Sequence, residues 1–415
     1  MKLVQIGAGN IGRSFIGQLF SRAGYEVVFI DVDDAIVEAL NRRHEYVVEV
    51  RDDPPATIPV RNVRAVHGRD LAACVEELAT TDVAATAVGP SALPHVYPML
   101  AKGLVRRREI GRGPLDLILC ENLRQAAEVV REGLSEYLPP GFPLDDMAGL
   151  VETSIGKMVP IMTEEQRRAD PLLVFAEAYN TLIVDKRAFR CGVPSVPGID
   201  AKENMAAYVD QKLSIHNCGH AIAAYLAYLQ IPGARFVWEA VADPEVREAT
   251  RRGMWESAHA LIAEYPDEFD EGNLGHLIED LLRRFANRAL GDAIHRIGRD
   301  VPRKLGREDR LIGSLLLDAR HDVPAPYTSL AAAAAMFFRG PDESGRLYPT
   351  DAEFAGRVHP RGPAHVLRTV SGLDLAEPLD RRVFDSVLEA HEYVAARIAR
   401  REPLLPLPAS VPPLP

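Results

Sequence analysis

Residues 2–31 read KLVQIGAGNIGRSFIGQLFSRAGYEVVFID, and this stretch decides the fold. A short apolar run from Lys2 to Ile6 enters a glycine-rich turn, Gly7-Ala8-Gly9-Asn10-Ile11-Gly12. Apolar residues at helical spacing follow as far as Gly24, and a second apolar run ends at Asp31. This order of strand, glycine-rich turn, helix, strand and acid is typical of a dinucleotide-binding unit.

The cofactor predicted for this unit is NAD. The glycines allow a tight turn, close approach of the backbone to a pyrophosphate, and close packing of helix on strand. The N-terminus of the helix favours the phosphate charge. Asp31 is placed to accept hydrogen bonds from the adenosine ribose and would repel a 2′-phosphate, which favours NAD over NADP. Arg13 is either a solvated side chain of the first turn or a contact to a substrate or cofactor phosphate.

Two further strand ends are expected beside the cofactor, because ligands of doubly wound sheets bind at the carboxyl ends of the strands. One buried strand ends at Ala87-Val88-Gly89, which either lines the nicotinamide side of the cleft or serves only as a turn. The next strand ends at Cys120-Glu121-Asn122. The Asn122 amide is a candidate donor to a substrate oxygen, with a helix N-cap as the alternative.

The length of 415 residues exceeds one typical core and predicts two domains. We expect an α/β N-terminal Rossmann-type doubly wound domain plus a mainly α-helical C-terminal domain. The first covers residues 1–200 and includes a strand extension, and the second covers 201–400. Residues 401–415 form a Pro-rich tail that we expect to be disordered or loosely draped.

Composition narrows the class of protein. A net charge of -11 argues against a nucleic-acid surface. Four cysteines without a CxxC pattern predict reduced thiols and a cytoplasmic location. Met1 is followed by an apolar strand without a basic n-region or a cleavage site, and no stretch of 18 apolar residues exists, so we expect neither export nor membrane insertion.

The second informative stretch is Lys212-Leu-Ser-Ile-His216-Asn217-Cys-Gly-His220. On an α-helix, Lys212, Asn217 and His220 share one broad face, and His216 joins them. Burial would lower the pKa of such a lysine. The alternative is a solvated lysine beside a core histidine. His216 and His220 lack an evident third metal ligand, and no metal is expected.

A basic cluster lies between Arg296 and Lys304. Arg296, Asp300 and Lys304 are four residues apart and would stack on one side of a helix, with Arg299 beside them. The cluster is either an intrahelical ladder of salt bridges or a cationic wall that receives an anionic or polyhydroxylated substrate.

Taken together, the turn Gly7 to Gly17, the strand end at Asn122 and the spacing Lys212-x4-Asn217-x2-His220 resemble one family. It is the mannitol dehydrogenase family of metal-independent, polyol-specific long-chain dehydrogenases/reductases. Two later segments, 298–312 and 370–374, look most like its mannitol-1-phosphate branch. The similarity runs in order from Met1 to about Ile398.

The resemblance implies hydride transfer between mannitol 1-phosphate and fructose 6-phosphate with NAD. It implies that Lys212 is the general base, that Asn122 and Asn217 hydrogen-bond the reacting oxygen, and that His220 orients the neighbouring hydroxyl. It also implies a monomer. The residues expected to contact the substrate are Arg13, His216, Arg296, Arg299, Asp300 and Lys304.

Several positions depart from the family pattern and leave the substrate open, among them a missing Trp near Leu182 and Phe285-Ala-Asn287-Arg288 in place of Phe-x-Asn-Pro. Gly156 and Lys157 replace the usual Asp-Arg, and His216 replaces an aliphatic residue. The alternatives are an unphosphorylated polyol or a hexuronate/aldonate pair, as in mannitol 2-dehydrogenase and the fructuronate or tagaturonate reductases. A non-catalytic NAD sensor is a third hypothesis, which the set Lys212, Asn217 and His220 disfavours because a sensor needs no base.

Overall fold

The computed structural model describes residues 1–160 and 162–407, which form two compact units. The first unit is Met1–Val209 and the second is Asp210–Pro415. The part of the predicted Pro-rich tail from residue 408 onward lies outside the described residues.

The first unit alternates strands and helices. Its strands are β1 Lys2–Ile6, β2 Glu26–Asp31, β3 Glu45–Val50, β4 Ala56–Arg61, β5 Val63–His67, β6 Val83–Thr86, β7 Leu115–Leu119, β8 Ala148–Ser154, β9 Val174–Ala176, β10 Leu182–Asp185 and β11 Ile199–Lys202. Its helices are α1 Gln18–Arg22, α2 Asp34–Arg43, α3 Leu71–Thr80, α4 Leu93–Glu109, α5 Ala126–Ser135, α6 Leu144–Met147 and α7 Glu164–Ala169, and α8 Met205–Gln211 leads into the second unit.

The main sheet has eight strands in the order β11-β10-β8-β7-β6-β1-β2-β5. Strands β8, β7, β6, β1, β2 and β5 run parallel, and β10 joins β8 in the antiparallel direction. Because β1 lies between β2 and β6, the strand order reverses at β1, where doubly wound sheets bind their ligands. A second sheet has the order β4-β3-β9.

Both faces of the main sheet are buried, as parallel sheets require. Leu3 and Phe29 face one apolar cluster, which includes Phe15 from the helix after the glycine-rich turn. Val4 and Ile30, their neighbours in the chain, face the cluster on the opposite side. The near-continuous apolar runs of β1 and β2 follow from this two-sided burial.

The second unit is mainly helical. Its helices are α9 Cys218–Gln230, α10 Val237–Ala242, α11 Pro244–Glu264, α12 Glu271–Phe285, α13 Ile294–Gly298, α14 Val301–Lys304, α15 Ile312–Arg320, α16 Pro326–Met336, α17 Pro349–Glu353, α18 Pro363–Thr369 and α19 Pro378–Arg400. The two predicted fold classes are thus confirmed. Within the described ranges, no helix combines the length and apolarity that crossing a membrane would require.

Helices of the second unit approach closely because small residues lie at their contacts. A Cβ at Gly219 of α9 would lie 2.5 Å from the Met254 Sδ, and one at Gly253 of α11 would lie 2.4 Å from an Ile222 methyl carbon. The alanine run 331–335 of α16 is completely buried. These helices therefore depend on glycine and alanine for their packing distance.

The described start of the predicted tail is anchored, in contrast to the expectation. Leu404 and Leu405 are buried, and the backbone N–H of Leu404 donates to the Gln230 side-chain oxygen at 2.8 Å. The Tyr393 hydroxyl donates to the Leu404 carbonyl at 2.9 Å. Burial of two leucines and these hydrogen bonds offset the cost of ordering this segment.

Two carboxyl groups of the second unit, Glu256 and Asp318, have no exposed surface at all. Glu256 on α11 is fully buried and accepts hydrogen bonds from the Tyr327 N–H and from the N–H and hydroxyl of Thr328. Burial nevertheless raises the pKa of Glu256 to about 7. Burial and the charge of Glu256 raise the pKa of Asp318 on α15 well above its ordinary value.

We expect the contribution of Glu256 and Asp318 to the free energy of unfolding to fall as the pH rises from about 5 to about 8, because both carboxyl groups bind protons more tightly in the folded state than in the unfolded chain. For Glu256, a folded pKa of about 7 against an ordinary 4.5 corresponds to a loss of at most about 3 kcal/mol. Asp318→Asn should make this fall shallower in urea titrations at several pH values. Asp385→Asn, at an exposed position of α19, is the control. Equal pH dependence of wild type and Asp318→Asn would contradict the prediction.

Candidate active site

The glycine-rich turn of the first unit fits the close approach of a pyrophosphate. Gly7 has a φ of +91°, and a Cβ there would lie 2.6 Å from the Ala87 carbonyl oxygen. A Cβ at Gly12 would lie 2.0 Å from the Gly7 carbonyl oxygen. A Cβ at Gly9 would meet no atom of the described chain within 4 Å, so the backbone here is accessible to a ligand. The segment Gly7 to Gly12 therefore fits the phosphate cradle of a dinucleotide.

Asp31 also holds this turn. Its carboxylate accepts the Ala8 backbone N–H at 2.6 Å, and it accepts the Val32 and Asp33 N–H groups at 2.7 and 3.0 Å. A carboxylate has about four lone-pair positions, so the ribose hydroxyls predicted for Asp31 can still be accommodated. The contact with Ala8 was not predicted from the sequence.

The carboxyl ends of β6 and β7 are joined by Glu121. Its buried carboxylate accepts the Val88 N–H at 3.0 Å and the Gly89 N–H at 2.7 Å. The structure thereby brings the predicted strand end Ala87 to Gly89 beside Asn122, which follows Glu121. Helix α5 begins at Ala126 with Gln125 as its N-cap residue, so the N-cap alternative for Asn122 is wrong.

Arg13 lies beneath the glycine-rich turn. Its guanidinium donates to the Ala8 carbonyl at 2.6 Å and to the Pro171 carbonyl at 2.8 Å, and the side chain is buried. The alternative that Arg13 is a solvated side chain of the first helical turn is therefore wrong. Its contact to a phosphate stays a prediction.

Lys157, one of the departures from the family pattern, is buried in the first unit. Its ammonium group donates to the carbonyls of Glu177 and Tyr179 and to the Asn180 side-chain oxygen, at 3.1, 2.6 and 3.0 Å. It also lies 5.2 Å from the centre of the Phe15 ring. Lys157 thus links the segment after β8 to the segment between β9 and β10.

In the second unit, the Lys212 segment is a π-helix rather than an α-helix. It spans Lys212–Asn217 and continues as α9, and the Cys218 N–H reaches back to the Leu213 carbonyl five residues earlier. Hydrogen bonds of this spacing place residues five apart on successive turns. Lys212 and Asn217 are therefore closer to each other around the helix axis than they would be on an α-helix.

Lys212 loses its proton far more easily than an ordinary lysine. Burial, with the positive charge of nearby Arg310, lowers the pKa of Lys212 to about 8. Burial also lowers the pKa of His216 well below its ordinary value, and the charges of Arg284, His220 and Lys212 act in the same direction. The cluster is thus a buried, cation-rich environment in which proton binding is disfavoured.

The two histidines share an aromatic neighbour. The His220 ring stacks on Phe285 with centroids 4.7 Å apart and planes at 10°. The His216 ring lies 6.0 Å from Phe285 and 6.2 Å from His220. The structure therefore brings together the predicted residues Lys212, His216, Asn217 and His220. Within residues 1–160 and 162–407, no group of three or more His, Cys, Asp or Glu side chains is placed to hold a metal ion.

The predicted basic cluster does not form a continuous helical face. Helix α13 ends at Gly298, and Asp300 adopts a left-handed φ of +63° before α14 begins. The ladder from Arg296 through Asp300 to Lys304 therefore does not form. Asp300 pairs with Arg303 at 2.7 Å instead.

The three cations of the cluster that are predicted to contact the substrate have different surroundings. The Arg296 guanidinium pairs with Asp292, and the Arg299 guanidinium lies 5.2 Å from the centre of the Tyr348 ring, at the edge of a cleft of about 340 Å³. Lys304 is buried and donates to the Arg299 carbonyl. Burial and the nearby Arg310 lower the pKa of Lys304 to about 7. Their contact with a substrate stays a prediction.

Sequence reasoning assigned no role to several residues around these predicted sites: Glu121, Phe285, Asp292 and Arg310. Asp292 had a detectable signal, because it precedes Arg296 by four residues at the spacing of helical ion pairs. Phe285 and Arg310 come near the Lys212 segment only through the packing of α12 and of the chain before α15.

Comparison with known proteins covers nearly the whole chain. A family model described as the mannitol dehydrogenase Rossmann domain matches residues 1–198, and one described as the mannitol dehydrogenase C-terminal domain matches residues 204–402. The chain is 36% identical over 397 residues to mannitol-1-phosphate 5-dehydrogenase of Brevibacillus brevis, covering 95% of this chain and 99% of that protein.

Two solved structures share the fold. Mannitol 2-dehydrogenase of Pseudomonas fluorescens, solved with NAD and D-mannitol, has a TM-score of 0.71 and 16% identity, covering 97% of this chain and 94% of that one. A substrate-free D-sorbitol dehydrogenase has a TM-score of 0.73 and 18% identity, covering 94% of each chain. Both family models match in order, and the resemblance drawn from the motifs is confirmed. The chain belongs to the mannitol dehydrogenase family.

Proposed function

We propose that the chain catalyses the NAD-dependent interconversion of mannitol 1-phosphate and fructose 6-phosphate. The substrate is supported by the full-length similarity to the Brevibacillus brevis enzyme of that name. The chemistry is supported by one observation above all, the buried Lys212 whose pKa is lowered to about 8. A group of this pKa exchanges a proton with an alcohol efficiently near neutral pH.

In this proposal, Lys212 takes the proton from the alcohol oxygen during oxidation and returns it during reduction. The amides of Asn122 and Asn217 donate hydrogen bonds to that oxygen as it becomes a carbonyl, and His220 orients the neighbouring hydroxyl. Uncharged amides stabilise charge on oxygen without competing for the proton. NAD, when bound through Gly7 to Gly12 and Asp31, supplies the hydride acceptor.

A substrate panel followed by NADH absorbance tests the proposal. We expect reduction of fructose 6-phosphate and no comparable reduction of fructose. Turnover of fructose, fructuronate or tagaturonate without turnover of fructose 6-phosphate would replace the proposed substrate by one of the alternatives. NAD binding without any turnover would support the sensor hypothesis.

Replacing Asp31 by alanine should weaken the discrimination against NADP. The variant removes the charge that repels a 2′-phosphate, and we expect the ratio of kcat/KM for NAD to that for NADP to fall by about tenfold or more, which corresponds to about 1.4 kcal/mol. Because Asp31 also accepts the Ala8 N–H, some loss of NAD affinity is expected as well. Asp33→Ala, beside it, is the control. An unchanged ratio of kcat/KM for NAD to that for NADP would show that Asp31 does not discriminate against NADP.

The rate of mannitol 1-phosphate oxidation should follow the titration of Lys212. Since only the neutral amine accepts a proton, kcat/KM should rise with pH and level off above about 8. Arg310→Met removes a positive charge that lowers this pKa, so the midpoint should move to higher pH. A midpoint that stays unchanged, or moves down, would show that Arg310 does not act on the titrating group.

We also infer that the chain is a monomer in the cytoplasm. The monomer is supported only by the family resemblance, and light scattering at working concentration tests it. The location is supported by four cysteines that are free thiols in the described part of the chain.

A further inference from the structure

The imidazole of His220 has two neighbours that restrict its orientation. Phe285 covers one face of the ring at a centroid distance of 4.7 Å. At the ring edge, Nε2 lies 2.8 Å from the Asp292 carboxylate oxygen Oδ2. The ring N–H is not aligned with this oxygen for a regular hydrogen bond, so the contact is a close polar approach of the carboxylate to the ring edge.

The carboxylate of Asp292 is itself held in place. Its other oxygen, Oδ1, accepts the guanidinium N–H groups of Arg296, one turn further along the chain. The Val237 N–H donates to the Asp292 carbonyl at 2.9 Å, and two residues further on the Ile294 N–H donates to the Arg235 carbonyl at 2.8 Å. Asp292 is therefore an immobile charge at the edge of His220.

The charge on Asp292 is stable at any physiological pH. Burial alone would raise the pKa of the carboxyl group, but the adjacent His220 and Arg296 outweigh burial and lower it to about 2. Only a tenth of the side chain is exposed. A fixed carboxylate at the ring edge, with Phe285 on the ring face, restricts the orientation of the imidazole. Carboxylates next to histidines in metal and triad sites also orient the ring.

We propose that Asp292, held by Arg296, is a positioning residue that fixes the orientation of the His220 ring. This assigns the Arg296 guanidinium to the support of a candidate substrate-binding group, in place of its predicted direct contact with the substrate. The inference rests on the proposed role of His220 in the reaction.

A double-mutant cycle tests it in the full-length protein, with kcat/KM for fructose 6-phosphate as the readout. Asp292→Asn keeps the size of the side chain and removes its charge. We expect it to lower kcat/KM by about 10–100-fold, the usual effect of removing a group that orients a functional histidine. The dissociation constant of NADH should stay within about twofold of the wild-type value.

The combination with His220→Ala distinguishes positioning from general stability. If Asp292 acts through His220, adding Asp292→Asn to His220→Ala should change kcat/KM by less than about threefold. A full additional loss in that background would overturn the inference, as would a single variant Asp292→Asn with wild-type kcat/KM. Should Asp292→Asn not fold, Arg296→Gln takes its place in the same cycle, with the same outcomes.

Asp380→Asn is the matched control. Asp380 is also buried in the second unit and forms an ion pair with an arginine, Arg307. We expect Asp380→Asn to lower the melting temperature but to leave kcat/KM unchanged. A His220→Ala variant with wild-type kcat/KM would overturn both this inference and the role proposed for His220. If only Asp292→Asn keeps wild-type kcat/KM, while His220→Ala loses activity, the positioning inference is overturned and the role proposed for His220 still stands.

Discussion

Lys212→Ala is expected to lower kcat by about 10²–10⁴-fold, the contribution of a well-placed general base. Burial and Arg310 lower the pKa of Lys212 to about 8, so a large fraction of the amine is neutral near pH 8 and can take the alcohol proton. No other group in the described part of the Lys212 segment combines this pKa with a flexible stem, because the pKa of His216 lies well below its ordinary value. The measurement is NADH formation at saturating substrate.

Two controls accompany this variant. Lys202→Ala removes a half-buried lysine of the first unit that pairs with Asp200, and it should leave kcat within about twofold of wild type. The dissociation constant of NADH for Lys212→Ala, followed by fluorescence, should change little. Retention of more than about a tenth of the wild-type kcat would mean that another group is the base.

Gly12→Ala is expected to destroy cofactor binding together with much of the stability. The new Cβ would lie 2.0 Å from the Gly7 carbonyl oxygen, a backbone atom that cannot yield without moving the whole turn. We expect destabilisation at or above the upper end of the about 1–3 kcal/mol that overpacking usually costs. Thermal unfolding and NADH binding measure the two effects.

Gly9→Ala is the matched comparison in the same turn. Its Cβ would meet no atom of the described chain within 4 Å, so the melting temperature should stay near the wild-type value. NADH affinity should nevertheless fall by about tenfold or more, because the methyl group would project where a pyrophosphate approaches the backbone. Equal losses of stability in both variants would contradict the geometry described for the turn.

The glycine-rich turn could be predicted from sequence because its causes are local. The glycines, the apolar runs of β1 and β2, and Asp31 lie within one short stretch, and each has its own physical requirement. The small sheet was not predicted. Its strand β3 pairs with β9, which lies more than a hundred residues further along the chain, and short segments of this kind carry little information about distant partners.

In the candidate site, too, some features could be predicted from local sequence and others depend on distant parts of the chain. Lys212, Asn217 and His220 could be read from spacing, whereas Asp292 and Phe285 meet His220 only through the packing of other segments. The predicted ladder failed because the left-handed backbone at Asp300 interrupts the helix, and spacing alone does not reveal such a break. Local pattern identifies functional groups, and tertiary packing decides their partners.

The π-helical turn at Lys212–Asn217 has a consequence for the stability of the enzyme. It acts as a one-residue insertion, so that Lys212 and His220 belong to two different α-helical registers. Deleting one residue here would convert the π-helical turn into a regular α-helical turn with better hydrogen bonds. It would also rotate Lys212 by about 100° relative to His220. If Lys212 and His220 act as proposed, selection for a more regular and more thermostable helix would act against catalysis, and evolution is expected to preserve the irregular turn as a trade-off.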